Sequence, residues 1–191
     1  MRFRLYHRSE MAREGELQVS SKVYSNATVL IVDVAGFIKV NEVVGPPRLL
    51  LNPSGLIRST VLRHGGDVVQ SAGDSFVCVF DGDCDAAIES GVGVVSELKA
   101  APNALKARIG IATGQLIITS IGDAARPLRS ITGVPFHLAS RLQAEAAKLE
   151  PPILICPETA RASQRFEGRP TTIYRSDGDC IKAFVPISRS Q

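Results

Sequence analysis

The hydrophobic positions along the chain predict alternating strands and helices from residue 27 onward. ATVLIVD, residues 27–33, is a continuous aliphatic and β-branched run typical of a strand buried on both faces, and the following VAGF is predicted to turn into a helix. Glycine and proline at residues 45–47 predict an interruption of that helix. A second helix is predicted to start with Asn52 as its cap and Pro53 in its first turn, and to end near His64.

A β-hairpin is predicted next, in DVVQSAGDSFVCVF, because glycine and aspartate at residues 72–75 separate two runs rich in β-branched and aromatic residues. The later predicted elements are a helix at 86–100, strands at 104–112 and 114–122 with a turn near Thr113 and Gly114, a helix at 135–149, a short strand at 153–156, a helical turn at 157–163, and a final strand pair at 171–175 and 181–187. This order predicts an α+β fold with a ferredoxin-like βαββαβ core and extra C-terminal strands and helices.

The domain organisation is predicted from the residue at which the hydrophobic pattern begins. Residues 1–26 are polar and weakly patterned, and we predict an N-terminal arm or linker there, followed by one domain over residues 27–191. A chain of 191 residues with 45% hydrophobic and 21% charged residues suffices for one core. The N-terminus lacks an apolar signal-peptide segment, and Asp33 interrupts the most apolar run, so neither export nor a membrane span is predicted.

Charge and cysteine content narrow the class of protein. The net charge of +3 comes from charges spread along the chain, without the basic stripe of a nucleic-acid-binding protein, so no nucleic-acid partner is predicted. The four cysteines show no C-x-x-C spacing, which argues against a zinc site and against a disulfide framework. Reduced thiols and a cytoplasmic location are therefore predicted.

Two aspartates provide the candidate chemistry. Asp33 ends the first predicted strand and Asp74 lies in the turn of the hairpin, and a βαββ unit makes these two positions neighbours. A carboxylate pair suits Mg²⁺ or Mn²⁺ that is also held by substrate phosphates. From spacing alone the alternative stays open that each aspartate only forms a turn or caps a helix.

Three segments together carry a resemblance to a known family. VLIVDVAGF, LRHGGDVVQSAGDSFVCVF and SITGVPFHLASRLQ resemble, in order, the metal-binding and helix motifs of class III adenylyl and guanylyl cyclases. The resemblance implies the class III nucleotide cyclase fold and conversion of ATP, and also GTP, to the 3′,5′-cyclic nucleotide and pyrophosphate. It further implies two Mg²⁺ or Mn²⁺ ions per site and a homodimer, with a heterodimer with another cyclase domain as the alternative.

The resemblance also implies roles for individual residues. Asp33, Asp74 and the backbone carbonyl of Val34 would bind the metal ions. Backbone N–H groups of Ala35, Gly36 and Phe37 would hold the triphosphate, and Arg141 would stabilise the transition state from the other subunit of a head-to-tail dimer.

The sequence departs from the family pattern at three positions. His137 replaces the ribose-orienting asparagine, and its interpretation as a packing or interface residue stays open beside a catalytic one. Gln70 replaces the usual base-reading lysine, and Ser130 replaces the usual aspartate or threonine. Because an amide both donates and accepts hydrogen bonds, we expect a relaxed choice of purine base with ATP favoured.

Two other functions stay open at the level of sequence. The departures fit a degenerate cyclase homology domain that binds nucleotide or serves as a regulatory dimerisation module without turnover. A ferredoxin-like RNA-binding domain is disfavoured because no aromatic-rich strand matches an RNP motif.

Overall fold

The computed structural model describes residues 18–35, 46–101, 104–122, 128–174 and 180–189. The strands are β1 (Gln18–Ala35), β2 (Asp67–Ala72), β3 (Ser75–Asp81), β4 (Lys106–Gly122), β5 (Leu128–Thr132), β6 (Ile153–Ile155), β7 (Phe166–Tyr174) and β8 (Cys180–Ser188). The helices are α1 (Pro46–Arg63), α2 (Cys84–Ala100), α3 (Val134–Ala146) and α4 (Pro157–Ala162).

One mixed sheet organises these elements. Its strand order is β2-β3-β1-β4-β6-β8-β7, and β5 pairs with β4 beside this path. β4 and β6 run parallel, whereas the other strand pairs run antiparallel. The order β2-β3-β1-β4, with helices between β1 and β2 and between β3 and β4, is that of a ferredoxin-like core, so the predicted α+β fold is confirmed.

The central strand β1 separates two hydrophobic clusters. Leu30, Val32 and Val34 pack with α1 and α2 on one face of the sheet. Val29 and Ile31 pack with α3 on the other face. Because side chains alternate along a strand, Asp33 continues the set that faces α3. The buried pattern of β1 therefore decides on which side of the sheet this carboxylate lies.

β1 begins at Gln18, nine residues before the predicted start of the first strand at residue 27. Residues 18–24 pair with residues 116–122 of β4, which in turn pair with β5. We call these three segments the β-extension. Hydrophobic patterning missed its first strand because polar and apolar residues mix on both of its faces. The division of the chain into an arm and a domain at residue 27 stays a prediction, although β1 runs through that position.

The predicted turn near Thr113 and Gly114 is wrong, because β4 continues through both residues. They pair with Thr28 and Ala27 of β1, next to an irregularity in the register between Tyr24 and Ala27. A Cβ at Gly114 would make an ordinary van der Waals contact of 3.5 Å with the ring of Pro135 in α3, so this position in β4 does not require glycine. β5 was not predicted from the sequence.

The predicted interruption at Asn52 and Pro53 is wrong as well, because α1 continues through Pro53. A proline inside a helix removes one backbone hydrogen bond, yet tertiary packing of the apolar face compensates for it. Ile57 and Val61 of this helix are fully buried in the first cluster. The helix predicted to start at VAGF falls on residues 36–45, which lie outside the described residues.

Two simpler findings concern membranes and thiols. Within the described ranges, no helix combines the length and the apolar character needed to cross a membrane. All four cysteines are free thiols; Cys78, Cys84 and Cys156 are buried and Cys180 is exposed. Burial raises the pKa of Cys78 to about 12, so this thiol is unreactive at neutral pH.

Replacing Gly110 tests the contact between α3 and the sheet. A Cβ at Gly110 of β4 would lie 2.0 Å from the carbonyl oxygen of Ala139 in α3. We expect Gly110→Ala to lower the free energy of unfolding by about 3 kcal/mol, because the helix must move off the strand. Denaturant unfolding measures this change.

The matched control is Gly55→Ala in α1, where an added Cβ meets no atom within 4 Å. Alanine is the better helix former, so this variant should gain about 0.5–1 kcal/mol. Equal effects of the two substitutions would contradict the close packing of α3 on β4.

Candidate active site

The site is built around the end of β1 and the turn of the β2–β3 hairpin. Asp33 of β1 pairs with Ser75 of β3, directly after the turn residues Gly73 and Asp74. Gly73 has a φ of 62° and Asp74 has no positive φ, the pattern of a type II′ turn. The Val34 backbone N–H donates a hydrogen bond of 3.1 Å to the Asp74 carbonyl. Both predicted metal-binding aspartates are thus held on neighbouring, hydrogen-bonded backbone.

The electrostatics of Asp33 reflect this proximity. Partial burial raises the pKa of Asp33, and the negative charge of Asp74 raises that pKa further. The Asp33 side chain is 23% exposed, and its Oδ2 lies 3.5 Å from the guanidinium of Arg108 on the neighbouring strand β4. Arg108 opposes the upward shift without cancelling it. The two carboxylates therefore form a repulsive pair, and Arg108 relieves the repulsion in part.

This donor set fits a divalent cation that shares its ligands with substrate phosphates. Within the described residues no group of three or more His, Cys, Asp or Glu side chains could hold a metal ion alone. Two carboxylates with remaining positions for phosphate oxygens and carbonyls are the usual environment of Mg²⁺. A cation between Asp33 and Asp74 would also remove their mutual repulsion.

The structure places the predicted triphosphate-binding residues only in part. Ala35 is the last residue of β1 and pairs with Lys106 of β4, two residue pairs beyond Asp33 and Arg108. Gly36 and Phe37, which the resemblance also assigns to the triphosphate, lie outside the described residues. Two basic residues of β4, Lys106 and Arg108, therefore lie beside the end of β1 that carries Asp33.

Helix α3 carries the predicted catalytic pair on its outer surface. Ala139 and Leu142 are fully buried against the sheet. His137 and Arg141 are exposed and stand one helical turn apart, so their side chains share a face. The His137 ring contacts the Phe136 ring edge to face, with centroids 5.4 Å apart. Among the described residues Arg141 has no salt-bridge partner, and its guanidinium is available to a ligand or a second chain.

Gln70 reaches the same side of the sheet as Asp33 through a local irregularity. The register of β2 against β3 shifts between Val68 and Gln70, so Gln70 lies opposite Val77. Val77 and Val69 both belong to the cluster under α3. Because a bulge places two successive residues on one face, Gln70 also points to that side, where it is exposed.

Ser130 lies apart from this group. It is exposed on β5 opposite Thr119 of β4, and Thr119 lies opposite Ser21 of β1. Ser21 and Asp33 are twelve residues apart on β1, a contour length of about 40 Å at about 3.3 Å per residue. One chain therefore brings Asp33, Asp74 and Gln70 to one end of β1 and leaves Ser130 near the other end.

Arg108 was not among the site residues predicted from the sequence. Its position is set by the cross-strand register of β4 against β1, which a single sequence does not reveal. One signal was available: KARIGIA predicts a strand whose only charged residue after its start is this arginine. A charge inside a buried strand is a reason to search for a partner of opposite sign.

Comparison with solved structures reveals the kind of fold. The chain is similar to the adenylyl cyclase CyaB from P. aeruginosa, with a TM-score of 0.74 over 90% of this chain and 98% of that one, at 21% identity. It is equally similar to the guanylate cyclase domain of RhGC from Catenaria anguillulae, with a TM-score of 0.74 over 88% and 100% of the two chains, at 17% identity. The chain has the class III nucleotide cyclase fold.

A bacterial light-regulated adenylyl cyclase shares this cyclase fold, with a TM-score of 0.72, 18% identity, and coverage of 86% of this chain and 91% of that chain. No protein-family model matches the sequence. Uncharacterized proteins of Mycobacterium bovis and Mycobacterium tuberculosis are each 28% identical over 152 residues, or 74% of this chain. The chain spans only 28% of the length of those two relatives.

The raised pKa of Asp33 leads to a prediction about stability and pH. A carboxyl whose pKa is higher in the folded than in the unfolded protein stabilises the fold fully below its unfolded pKa, and this contribution is lost as pH rises through the folded pKa. In the cation-free protein, Asp33→Asn should therefore melt at a higher temperature than wild type at pH 7. The difference should shrink as pH falls below the ordinary pKa of an aspartate carboxyl.

Thermal melts over a pH series measure this effect, and carboxyl NMR titration of Asp33 locates its cause. Asp74→Asn should lower the Asp33 pKa by removing the repulsion. A control substitution, Asp67→Asn in β2, lies away from the pair and should leave that pKa in place. If Asp74→Asn leaves the Asp33 titration unchanged, the two carboxylates are not neighbours.

Proposed function

We propose that this domain is a nucleotide cyclase that converts ATP, and GTP less efficiently, to the 3′,5′-cyclic nucleotide and pyrophosphate. The observation that carries the proposal is the Asp33–Asp74 pair at the open end of β1 in a cyclase fold. Repulsion between two carboxylates without a counter-charge between them is unfavourable, and a divalent cation is the ligand that relieves it.

Asp33, Asp74 and the Val34 carbonyl would hold two Mg²⁺ or Mn²⁺ ions, which supply charge neutralisation at the phosphates and acidify the ribose 3′-hydroxyl. In the proposed reaction this hydroxyl loses its proton to solvent water, and its oxygen bonds to the α-phosphorus. The bond from the α-phosphorus to the bridging oxygen of the β-phosphate breaks, and pyrophosphate leaves.

The chain's own side chains have distinct tasks in this scheme. Arg108, beside Asp33, is positioned to interact with phosphate oxygens once a cation replaces it at the carboxylate. Arg141 would hold oxygens of the α-phosphoryl group as charge develops there, a contribution of about 10²–10³ in rate by analogy with oxyanion-hole donors. His137, one turn earlier, would orient the ribose with one ring N–H.

The positions of these residues support a dimer with two composite sites. Arg141 and His137 project from the outer surface of α3, and Ser130 lies on the β-extension, away from the aspartates. We propose that Asp33 and Asp74 of one chain act together with Ser130, His137 and Arg141 of a second chain. The second chain is another copy, with a different cyclase domain as the alternative.

A second candidate function is a regulatory module that binds nucleotide without turnover. Gln70 and His137 favour it, because each replaces a residue whose charge or amide geometry the family pattern uses. The exposed positions of both residues mean that their replacement disturbs neither hydrophobic cluster. Such a module would keep cation-dependent nucleotide binding and the dimer while lacking product formation.

The first test is product formation by the concentrated protein with ATP or GTP in the presence of Mn²⁺. We expect cyclic AMP, and less cyclic GMP, since the Gln70 amide can serve either purine edge. Chromatography of the reaction products measures both. Asp74→Ala should lower the rate at least about 100-fold, because it removes one of the two cation ligands.

The matched control is Asp81→Ala, an exposed aspartate at the other end of the same hairpin. It should retain activity. Nucleotide binding without any product, in a protein whose melting temperature still rises with Mn²⁺ and ATP, would favour the regulatory module over the cyclase.

Mixing two inactive variants tests the composite site. Asp33→Ala and Arg141→Ala should each be inactive alone, whereas the mixture should regain up to about a quarter of wild-type activity if chains pair at random, because half of the dimers carry one intact site. An activity titration across mixing ratios measures the recovery. Two variants on the same side of the site, Asp33→Ala and Asp74→Ala, should not complement each other. Recovery there, or none in the first mixture, contradicts the composite site.

A further inference from the structure

A cavity of about 540 Å³ lies at the end of the sheet where β1 ends and β4 begins. Cavities that bind small molecules usually enclose about 300–1,000 Å³, so this one has the size of a ligand site. The last turns of α2, the first residues of β4 and the segment that follows α3 all contribute to its lining. The Ile109 backbone N–H donates a hydrogen bond of 2.9 Å to the Pro152 carbonyl, so β4 holds this last segment in place.

The walls of the cavity are largely apolar. Leu105 and Ala107 of β4 line it and are buried. Val95 of α2 and Leu149 after α3 line it from the two sides of the sheet and are partly buried. Such walls give phosphate groups nothing to bind, whereas contact with a hydrocarbon removes apolar area from water and is favourable. The lining therefore suits a ligand with an apolar body.

The charged part of the lining is mainly basic. Lys99, Lys106 and Arg108 line the cavity, against one acidic side chain, that of Glu150. Lys106 and Arg108 are two residues apart on β4, so their side chains leave the strand on the same face. Three positive side chains against one negative side chain favour an anion, and a guanidinium pairs with a carboxylate through two parallel hydrogen bonds. We call this space, lined by Lys99, Lys106 and Arg108, the basic cavity.

Arg108 belongs both to the basic cavity and to the candidate active site. Its guanidinium lies 3.5 Å from Oδ2 of Asp33, and its side chain is 41% exposed. The guanidinium cannot pair in the same geometry with two anions on different sides, so an anion in the cavity competes with Asp33 for it. Occupancy of the cavity is thereby coupled to the residues at the end of β1.

We propose that the basic cavity is a second ligand site, which binds an organic carboxylate with an apolar body. The carboxylate group pairs with Lys106 and Arg108, and the hydrocarbon body lies against Val95 and Leu105. The ligand weakens nucleotide binding, because it occupies the arginine that would otherwise interact with phosphate oxygens. This last consequence rests on the proposed function, whereas binding of the carboxylate does not.

The test is an NMR titration of the isotope-labelled full chain with hexanoate and, separately, with acetate. We expect hexanoate to shift the backbone amide signals of residues 105–108 and of Leu149. Its dissociation constant should be at least about tenfold lower than that of acetate, because hexanoate buries further methylene groups. The two probes carry the same charge, so the difference between them measures the contribution of the apolar walls.

Two substitutions separate the charge of the cavity from its space. Lys106→Gln should raise the hexanoate dissociation constant about tenfold, because it removes one of the two charges that pair with the carboxylate. Ala147→Leu should raise it at least about tenfold with every charge in place, because the exposed Ala147 lines the cavity and leucine would occupy part of it. The matched controls are Lys182→Gln on β8 and Ala144→Leu on α3, two exposed residues outside the lining, and both should bind hexanoate like wild type.

A third substitution tests the competition for Arg108. Asp33→Asn removes the competing carboxylate, so this variant should bind hexanoate about threefold more tightly than wild type. In the wild-type chain, saturating hexanoate should raise the dissociation constant of ATP with Mn²⁺ about threefold, and Lys106→Gln should weaken this effect. Unchanged hexanoate binding in Asp33→Asn would overturn the competition.

The remaining outcomes separate this inference from the proposed function. Equal binding of hexanoate and acetate, or wild-type hexanoate binding in both Lys106→Gln and Ala147→Leu, would overturn the second ligand site. Tighter binding of inorganic pyrophosphate than of hexanoate at the same amides would also overturn it and would assign the cavity to the phosphates of the nucleotide. Hexanoate binding by a chain that forms no cyclic nucleotide supports the basic cavity and rejects the cyclase. Cyclic nucleotide formation by a chain that does not bind hexanoate rejects the basic cavity alone.

Discussion

The pairing of β1 with both β3 and β4 is the constraint on which the candidate site depends. Aliphatic side chains fill both faces of this strand, so a shift of one residue would place Asp33 beneath α1 and α2 and expose Val34. The packing of the core therefore fixes the carboxylate on the side of α3. The hydrogen bond from Val34 to the Asp74 carbonyl then fixes the second carboxylate relative to the first.

The same packing divides the candidate site between two regions of the surface. Gly110 lets α3 lie directly on β4, and this contact commits the inner residues of the helix to the core. The outer residues His137 and Arg141 belong to neither hydrophobic cluster. The β-extension holds Ser130 away from the aspartates in the same way. A single chain thus carries two incomplete halves, which is the physical basis for proposing composite sites.

Much of the fold and of the candidate site could be predicted from local sequence patterns, and each wrong or missed prediction has an identifiable cause. The strand before Asp33 and the Gly73–Asp74 turn follow from continuous apolar runs and turn chemistry, and both are present. The first half of β1 was missed because polar and apolar residues mix on both of its faces, and Gly114, which lies inside β4, was mistaken for a turn residue. Arg108 was missed because only the register between β1 and β4 brings it to Asp33.

The Asp33–Asp74 pair favours a function that includes binding of a cation and a nucleotide over dimerisation alone. Burial and mutual repulsion raise the pKa of Asp33, which means that the charged pair lowers the stability of the cation-free fold at neutral pH. Asparagine at either position would fit the same backbone without that penalty. A residue that lowers the stability of the fold is expected where function requires that residue. A module that only dimerises has no use for two repelling carboxylates, whereas a protein that binds cation and nucleotide does, and turnover requires both.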